Sequence, residues 1–166
     1  MKACEIFQNA TPALTLQIIG YLKQEHKPVY RATIQTLAQQ RKLRPVFIEK
    51  KSGPEQVRWI IDTLKLKTSE AVGEQLLQVW LMKGQSAMLS TFVDALGLKH
   101  ENGVVDGDVP EDFEPAKVKE GIEKMLAAFP AEHVATYLHM FQLQQEGGYP
   151  AITEAMANEP RLKIGA

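Results

Sequence analysis

Apolar residues recur at spacings of three and four positions along most of the chain, and strict alternation of apolar and polar residues over five or more positions is hard to find. This spacing is typical of amphipathic helices and predicts an all-α protein. Proline stands where several of the periodic runs begin, because the first turn of a helix does not use the amide hydrogen that proline lacks. These prolines are Pro12, Pro28, Pro54, Pro115, Pro130 and Pro150.

The pattern predicts about eight helices, with irregular segments at 42–53 and 98–114. The predicted helices cover residues 12–24, 28–41, 54–66, 69–83, 86–96, 115–128, 130–144 and 149–157. Helix 69–83 is apolar around most of its circumference, so we expect it at the centre of the fold with Trp80 buried. The only extended structure that we expect is a short piece at 46–48.

Bulky apolar residues also recur at a longer period. Ile18, Leu77 and Val134 stand 59 and 57 residues apart, and each lies in a helix with the same place in the helix order. This period predicts a right-handed, solenoid-like array of three-helix units, at 12–66, 69–128 and 130–166, within one helical domain of residues 1–166. The alternative is coincidence, because any two amphipathic helices can be shifted until their apolar positions align.

The composition is that of an ordinary globular protein, with 45% hydrophobic and 23% charged residues in 166. It excludes fibrous and intrinsically disordered classes. No stretch approaches the roughly 18 consecutive apolar residues of a membrane helix, and the first residues lack the apolar run of a secretory signal. The single cysteine, Cys4, excludes an intramolecular disulfide. We therefore expect a cytoplasmic protein with no membrane partner.

Charge is unevenly distributed along the chain, although the formal net charge is only −1. Residues 1–67 contain twelve Lys and Arg against five Asp and Glu, a net charge of +7, so the remaining residues have a net charge of −8. Segregation of this size favours self-association or binding to a charged partner. The alternative is a chance fluctuation of solvated surface charge.

The positive charge is densest around the first irregular segment, where five cations and one acid fall within residues 41–51. We take this cluster, with one further arginine on the next helix, as the candidate surface for binding a partner. The candidate residues are Arg41, Lys42, Arg44, Lys50, Lys51 and Arg58. An acidic protein surface would complement them, and a solvated basic face is the alternative without a function.

The same basic half supports a nucleic-acid-binding module as an alternative function, because Lys and Arg side chains attract phosphate groups. A helix-turn-helix would use residues 46–51 as the recognition helix. Ser52, Gly53 and Pro54 would stop that helix after about seven residues, which is short for reading a DNA groove. The helix-turn-helix interpretation is therefore poor.

No pattern in the chain indicates catalysis or a bound cofactor. Cys4 has no neighbouring feature that would activate its thiol, and no phosphate-binding glycine loop occurs. The four histidines, at 26, 100, 133 and 139, lack the spacing of a metal site. Segment 101–114 contains six carboxylates, but Pro110 interrupts the ligand order of a calcium-binding EF-hand, so a solvated acidic loop is the favoured interpretation.

These observations favour a non-enzymatic helical scaffold or adaptor domain that binds another macromolecule through a surface or groove. We expect no catalytic, cofactor-binding or metal-binding residues. A protein is the expected partner, with nucleic acid as the alternative and self-association as a further route. A helical protein that binds a small molecule or a metal, in a pocket between helices, is the remaining alternative.

Overall fold

The computed structural model describes residues 1–165 and confirms the all-α prediction, with 71% of the chain helical in ten α-helices. The α-helices are α1 (Ala3–Asn9), α2 (Pro12–Glu25), α3 (Lys27–Gln40), α4 (Pro45–Glu49), α5 (Gly53–Leu64), α6 (Glu70–Val79), α7 (Ser86–Ala95), α8 (Pro115–Ala128), α9 (Ala131–Gln142) and α10 (Pro150–Ala157). Short 3-10 turns lie at Lys67–Ser69 and Pro160–Leu162, and a π-helical turn at Trp80–Gly84 follows α6.

The predicted count of about eight helices is too low, because α1 and α4 were not anticipated. α1 precedes the first run with clear periodicity, and its seven residues are too few to establish a period. α4 occupies the place where an extended piece was expected at 46–48, and that expectation is wrong. Pro45 begins this five-residue helix and Ile48 is its one buried residue, so no repeated apolar spacing marks it as a helix.

Extended structure lies instead in the acidic connection between α7 and α8. Strands β1 (His100–Glu101) and β2 (Val104–Val105) pair antiparallel, with His100 opposite Val105. The two residues between them, Asn102 and Gly103, both have positive φ, at 51° and 86°. A tight type I′ hairpin turn needs positive φ at both central residues, and Asn-Gly is a sequence that it strongly prefers.

The chain divides into two compact units, and the first comprises Met1–Trp80. Within it α1 packs against α6, while α2 packs against α3 and α5. α4 packs against the neighbouring helices α3 and α5. Trp80 is only 1% exposed, which confirms its predicted burial. The proposed boundaries of the three-helix units, and the repeat itself, stay a prediction.

The second unit begins at Leu81, and its centre is the packing of α7 against α8. Gly121 on α8 permits this close approach, since a Cβ there would lie 2.8 Å from Cδ2 of Phe92. An aromatic cluster continues the core, with Phe92 edge-on to both Tyr137 and Phe141 at ring separations of 5.7 and 5.5 Å. Burial raises the pKa of the Tyr137 hydroxyl well above its ordinary value.

In the described part of the chain, every helix is too short or too polar to cross a membrane.

Candidate partner-binding surface

The six predicted cationic residues all have exposed side chains, and they lie in or beside three consecutive helices of the first unit, α3, α4 and α5. Arg41 and Lys42 follow α3, Arg44 precedes α4, and Lys50 and Lys51 follow α4. The sixth residue, Arg58, lies within α5.

The end of α3 sets the direction of this segment through a Schellman motif. The Leu43 amide donates to the Ala38 carbonyl (2.8 Å), and the Lys42 amide donates to the Gln39 carbonyl (3.0 Å). Lys42 occupies the left-handed position of the motif, with φ of 56°, where glycine is the usual residue. The motif ends α3 and turns the chain sharply into the segment that contains α4 and the cations on both sides of it.

Hydrogen bonds from Gln56 on α5 hold the other end of the segment. Its Nε2 donates to the carbonyl oxygens of Glu49 (2.9 Å) and Lys51 (3.3 Å), and its Oε1 accepts from the Tyr30 hydroxyl (2.9 Å). Ile48, only 2% exposed, anchors α4 in the core. The segment is therefore preorganised, which reduces the entropy lost when a partner binds.

Three apolar side chains of the same segment face solvent, and the sequence analysis missed them. Phe47 is 61% exposed, the highest value among the large apolar residues of the described chain, and Val46 and Leu43 are also exposed. The segment is here named the α4 surface. It consists of the cationic residues Arg41, Lys42, Arg44, Lys50 and Lys51 and the apolar residues Leu43, Val46 and Phe47.

The positive charge of the α4 surface is not neutralised within residues 1–165. None of its five cations forms an ion pair with a described carboxylate, and Glu49 is the one acid within its sequence. Exposed apolar groups flanked by unpaired cations are suited to a partner that has both apolar and acidic groups.

Arg58 lies apart from the other five candidates in a groove of about 460 Å³ between α1, α2 and α5. Phe7 and Ile61 form the apolar floor of this groove, and Lys65 is a second cation in its lining. Lys65 forms an ion pair with Asp62 at 3.2 Å, so Arg58 is the unpaired cation of the groove's lining. The groove shows that the positive charge of the first unit extends beyond the α4 surface.

Other residues with potential chemistry are occupied by structural contacts. Cys4 is buried, and burial together with the hydrogen bond to Glu70 raises the pKa of its thiol. His26 contacts the Tyr21 hydroxyl at 3.1 Å, and His100 Nε2 lies 2.5 Å from Asp94 Oδ1. Residues 1–165 hold no group of three or more His, Cys, Asp or Glu side chains placed to bind a metal ion together.

Comparisons of this chain with protein-family models, curated proteins and solved structures find no match.

Proposed function

We propose that this chain is a non-enzymatic helical adaptor domain that binds an acidic protein through the α4 surface. The observation that carries the proposal is the exposure of Phe47 among five cations that have no ion-pair partner. Apolar residues at the centre and charged residues at the edge are the usual anatomy of a protein interface. We also propose a cytoplasmic location, which rests on the single cysteine of the sequence.

Two features favour a protein partner over nucleic acid. α4 has only five residues, too few to read a DNA groove as a recognition helix does. In addition, Leu43 and Val46 gain nothing from phosphate, whereas apolar side chains of a partner protein would bury them.

Nucleic acid remains the second candidate because of Phe47. An exposed aromatic ring beside Lys and Arg side chains is the arrangement that proteins use to stack single-stranded bases. A single-stranded oligonucleotide therefore belongs in any binding experiment as a competitor to an acidic protein surface.

Fluorescence anisotropy with three labelled probes tests the proposal. The probes are an amphipathic peptide of Glu and Leu, a peptide of Glu alone, and a single-stranded DNA oligonucleotide of equal charge. We expect the Glu-Leu peptide to bind most tightly and its affinity to fall as salt is added, because salt screens exposed charges beyond about 10 Å at 0.1 M.

The triple variant Arg44→Glu, Lys50→Glu, Lys51→Glu should abolish binding of the Glu-Leu peptide without unfolding the protein, because each exposed charge contributes under about 1 kcal/mol to folding. The matched control is Lys27→Glu, Arg31→Glu, Lys67→Glu, which changes the net charge equally at exposed positions away from the α4 surface. Equal loss of binding in both variants would indicate nonspecific attraction and contradict the proposal.

Phe47→Ser should weaken binding of the Glu-Leu peptide roughly tenfold or more, as expected for an aromatic residue central to an interface. Leu66→Ser is the control, since Leu66 is a large exposed apolar residue of the same unit outside the α4 surface. Tighter binding of the oligonucleotide than of either peptide, lost in Phe47→Ser, would replace the adaptor with a nucleic-acid-binding module.

A further inference from the structure

We propose that the acidic partner of the α4 surface is a second copy of this chain, which receives the surface in a groove of its second unit. This inference rests on the proposed function and names its partner. The groove lies between the π-helical turn Trp80–Gly84, the start of α7 and the β1–β2 hairpin, and is here named the hairpin groove.

The hairpin groove combines exposed apolar residues with a small excess of negative charge, which complements the α4 surface. Its volume is about 650 Å³, and Met82 and Val104, exposed by 42% and 40%, lie in its lining. Glu101 and Asp106 lie in the same lining with one cation, Lys83, so the charged residues of the groove have a net charge of −1. A flexible methionine is well suited to receive an aromatic ring such as that of Phe47, because its thioether makes favourable contacts with aromatic edges.

Charge complementarity extends beyond the groove itself. Residues 101–114 include six exposed carboxylates and no Lys or Arg, whereas residues 41–51 have five cations and one acid. Residues 1–80 contain twelve Lys and Arg against seven Asp and Glu, a net charge of +5, and residues 81–166 contain seven against thirteen, a net charge of −6. Opposite fields of this kind accelerate association and orient the two chains.

The hairpin wall of the groove is preorganised, as the α4 surface is. His100 Nδ1 accepts a hydrogen bond from the Gly103 amide (3.0 Å), and the Asp106 amide donates to the Lys99 carbonyl (2.8 Å). The contact of His100 Nε2 with Asp94 fixes the hairpin to α7. Two preformed and complementary surfaces lose little entropy on binding.

The contact joins two different surfaces and is therefore heterologous. A chain whose α4 surface is bound still has a free hairpin groove, which can bind a further chain. Such contacts generate closed rings or open chains rather than only symmetric dimers. We therefore expect assemblies that grow with protein concentration and dissociate as salt is added.

A mixing experiment separates this arrangement from every other mode of association. Phe47→Ser, Lys50→Glu disables the α4 surface and leaves the groove, whereas Met82→Lys, Val104→Lys disables the groove and leaves the α4 surface. Sedimentation velocity should show each variant as a monomer, and their equimolar mixture as a dimer that does not grow further. All four positions are exposed, so the variants should retain the helical circular dichroism of the wild type.

Leu143→Lys is the matched control, since Leu143 is an exposed apolar residue of the second unit that lies outside the groove. It should assemble as the wild type does. A mixture that stays monomeric, or single variants that still assemble, would overturn the inference.

The outcomes distinguish failure of this inference from failure of the proposed function. A wild-type chain that is monomeric at all concentrations but binds the Glu-Leu peptide through Phe47 has an acidic partner other than itself, and only the inference fails. A wild-type chain that neither assembles nor binds the peptide contradicts both.

Discussion

The Glu70 carboxylate caps a helix from a distant position in the sequence. It accepts hydrogen bonds from the amides of Ala3 (2.7 Å) and Cys4 (2.9 Å), which are free donors at the start of α1. Glu70→Ala should therefore lower the free energy of unfolding by about 1–2 kcal/mol. Urea denaturation measures this change, and Glu74→Ala is the control on the same helix, where the carboxylate accepts a hydrogen bond from the Gln78 side chain at 3.4 Å.

The same carboxylate predicts a pH dependence of stability. Partial burial alone would raise the pKa of Glu70, but the hydrogen bonds from Cys4 and Ala3 outweigh it and lower the pKa below its ordinary value. A lowered folded-state pKa stabilises the protein above the ordinary glutamate range, and that contribution is lost as the pH falls through the lowered value. Acid should therefore destabilise the wild type more than Glu70→Ala. Equal acid sensitivity would show that Glu70 contributes nothing to the pH dependence of stability.

Two glycines in helices provide opposite tests of helix packing. A Cβ at Gly20 in α2 would meet nothing within 4 Å, whereas one at Gly121 in α8 would lie 2.8 Å from Phe92 and 3.2 Å from the Ala95 Cβ. Gly20→Ala should stabilise the protein by about 0.5–1 kcal/mol, because alanine loses less backbone entropy in a helix. Gly121→Ala should destabilise it by about 1–3 kcal/mol through overpacking of α7 against α8. Thermal unfolding measures both changes in stability. Changes of the same sign in the two variants would contradict the packing described here.

Substitution of the turn glycine Gly103 should destabilise the protein more than substitution of Gly107, which follows the hairpin. Gly103 and Gly107 both have positive φ, so alanine strains the backbone at either position. A Cβ at Gly103 would also overlap the Leu89 Cβ and lie 2.8 Å from the Ser90 amide nitrogen, whereas a Cβ at Gly107 would meet nothing within 4 Å. Gly103→Ala should therefore cost about 1–3 kcal/mol more than Gly107→Ala in denaturant unfolding. Similar losses would show that the hairpin can move away from α7.

At the scale of the whole molecule, each of the two units has its own buried core. Local loss of stability should therefore stay within one unit. Hydrogen exchange should show that Glu70→Ala reduces amide protection in α1 and its neighbours of the first unit but not in α8 and α9, and that Gly121→Ala does the reverse. Loss of protection throughout the chain in both variants would instead favour the continuous helical array predicted from the sequence.

The sequence predicts the long helices well because each contains several turns of apolar spacing, and proline marks many of their starts. α4 escapes prediction because Ile48 is its one buried residue, and a single anchor defines no period. Phe47 lies beside Ile48 in the sequence, and only the helical geometry reveals that the Ile48 side chain is buried and the Phe47 side chain is exposed. The five clustered cations were identifiable from charge alone, but their apolar companions and the support from Gln56 depend on tertiary structure.

The hairpin turn also has a consequence for the chemical ageing of the protein. Asn102-Gly103 is the one Asn-Gly pair in the chain, and such bonds are thermolabile because the glycine amide nitrogen attacks the asparagine side chain. Here that nitrogen is engaged, since its hydrogen is donated to His100 Nδ1. His100→Ala should therefore accelerate deamidation at Asn102, which mass spectrometry of stored protein detects. Equal rates in variant and wild type would show that the hydrogen bond gives no protection, whereas a faster rate would identify His100 as the residue that preserves the charge of the hairpin over the lifetime of the molecule.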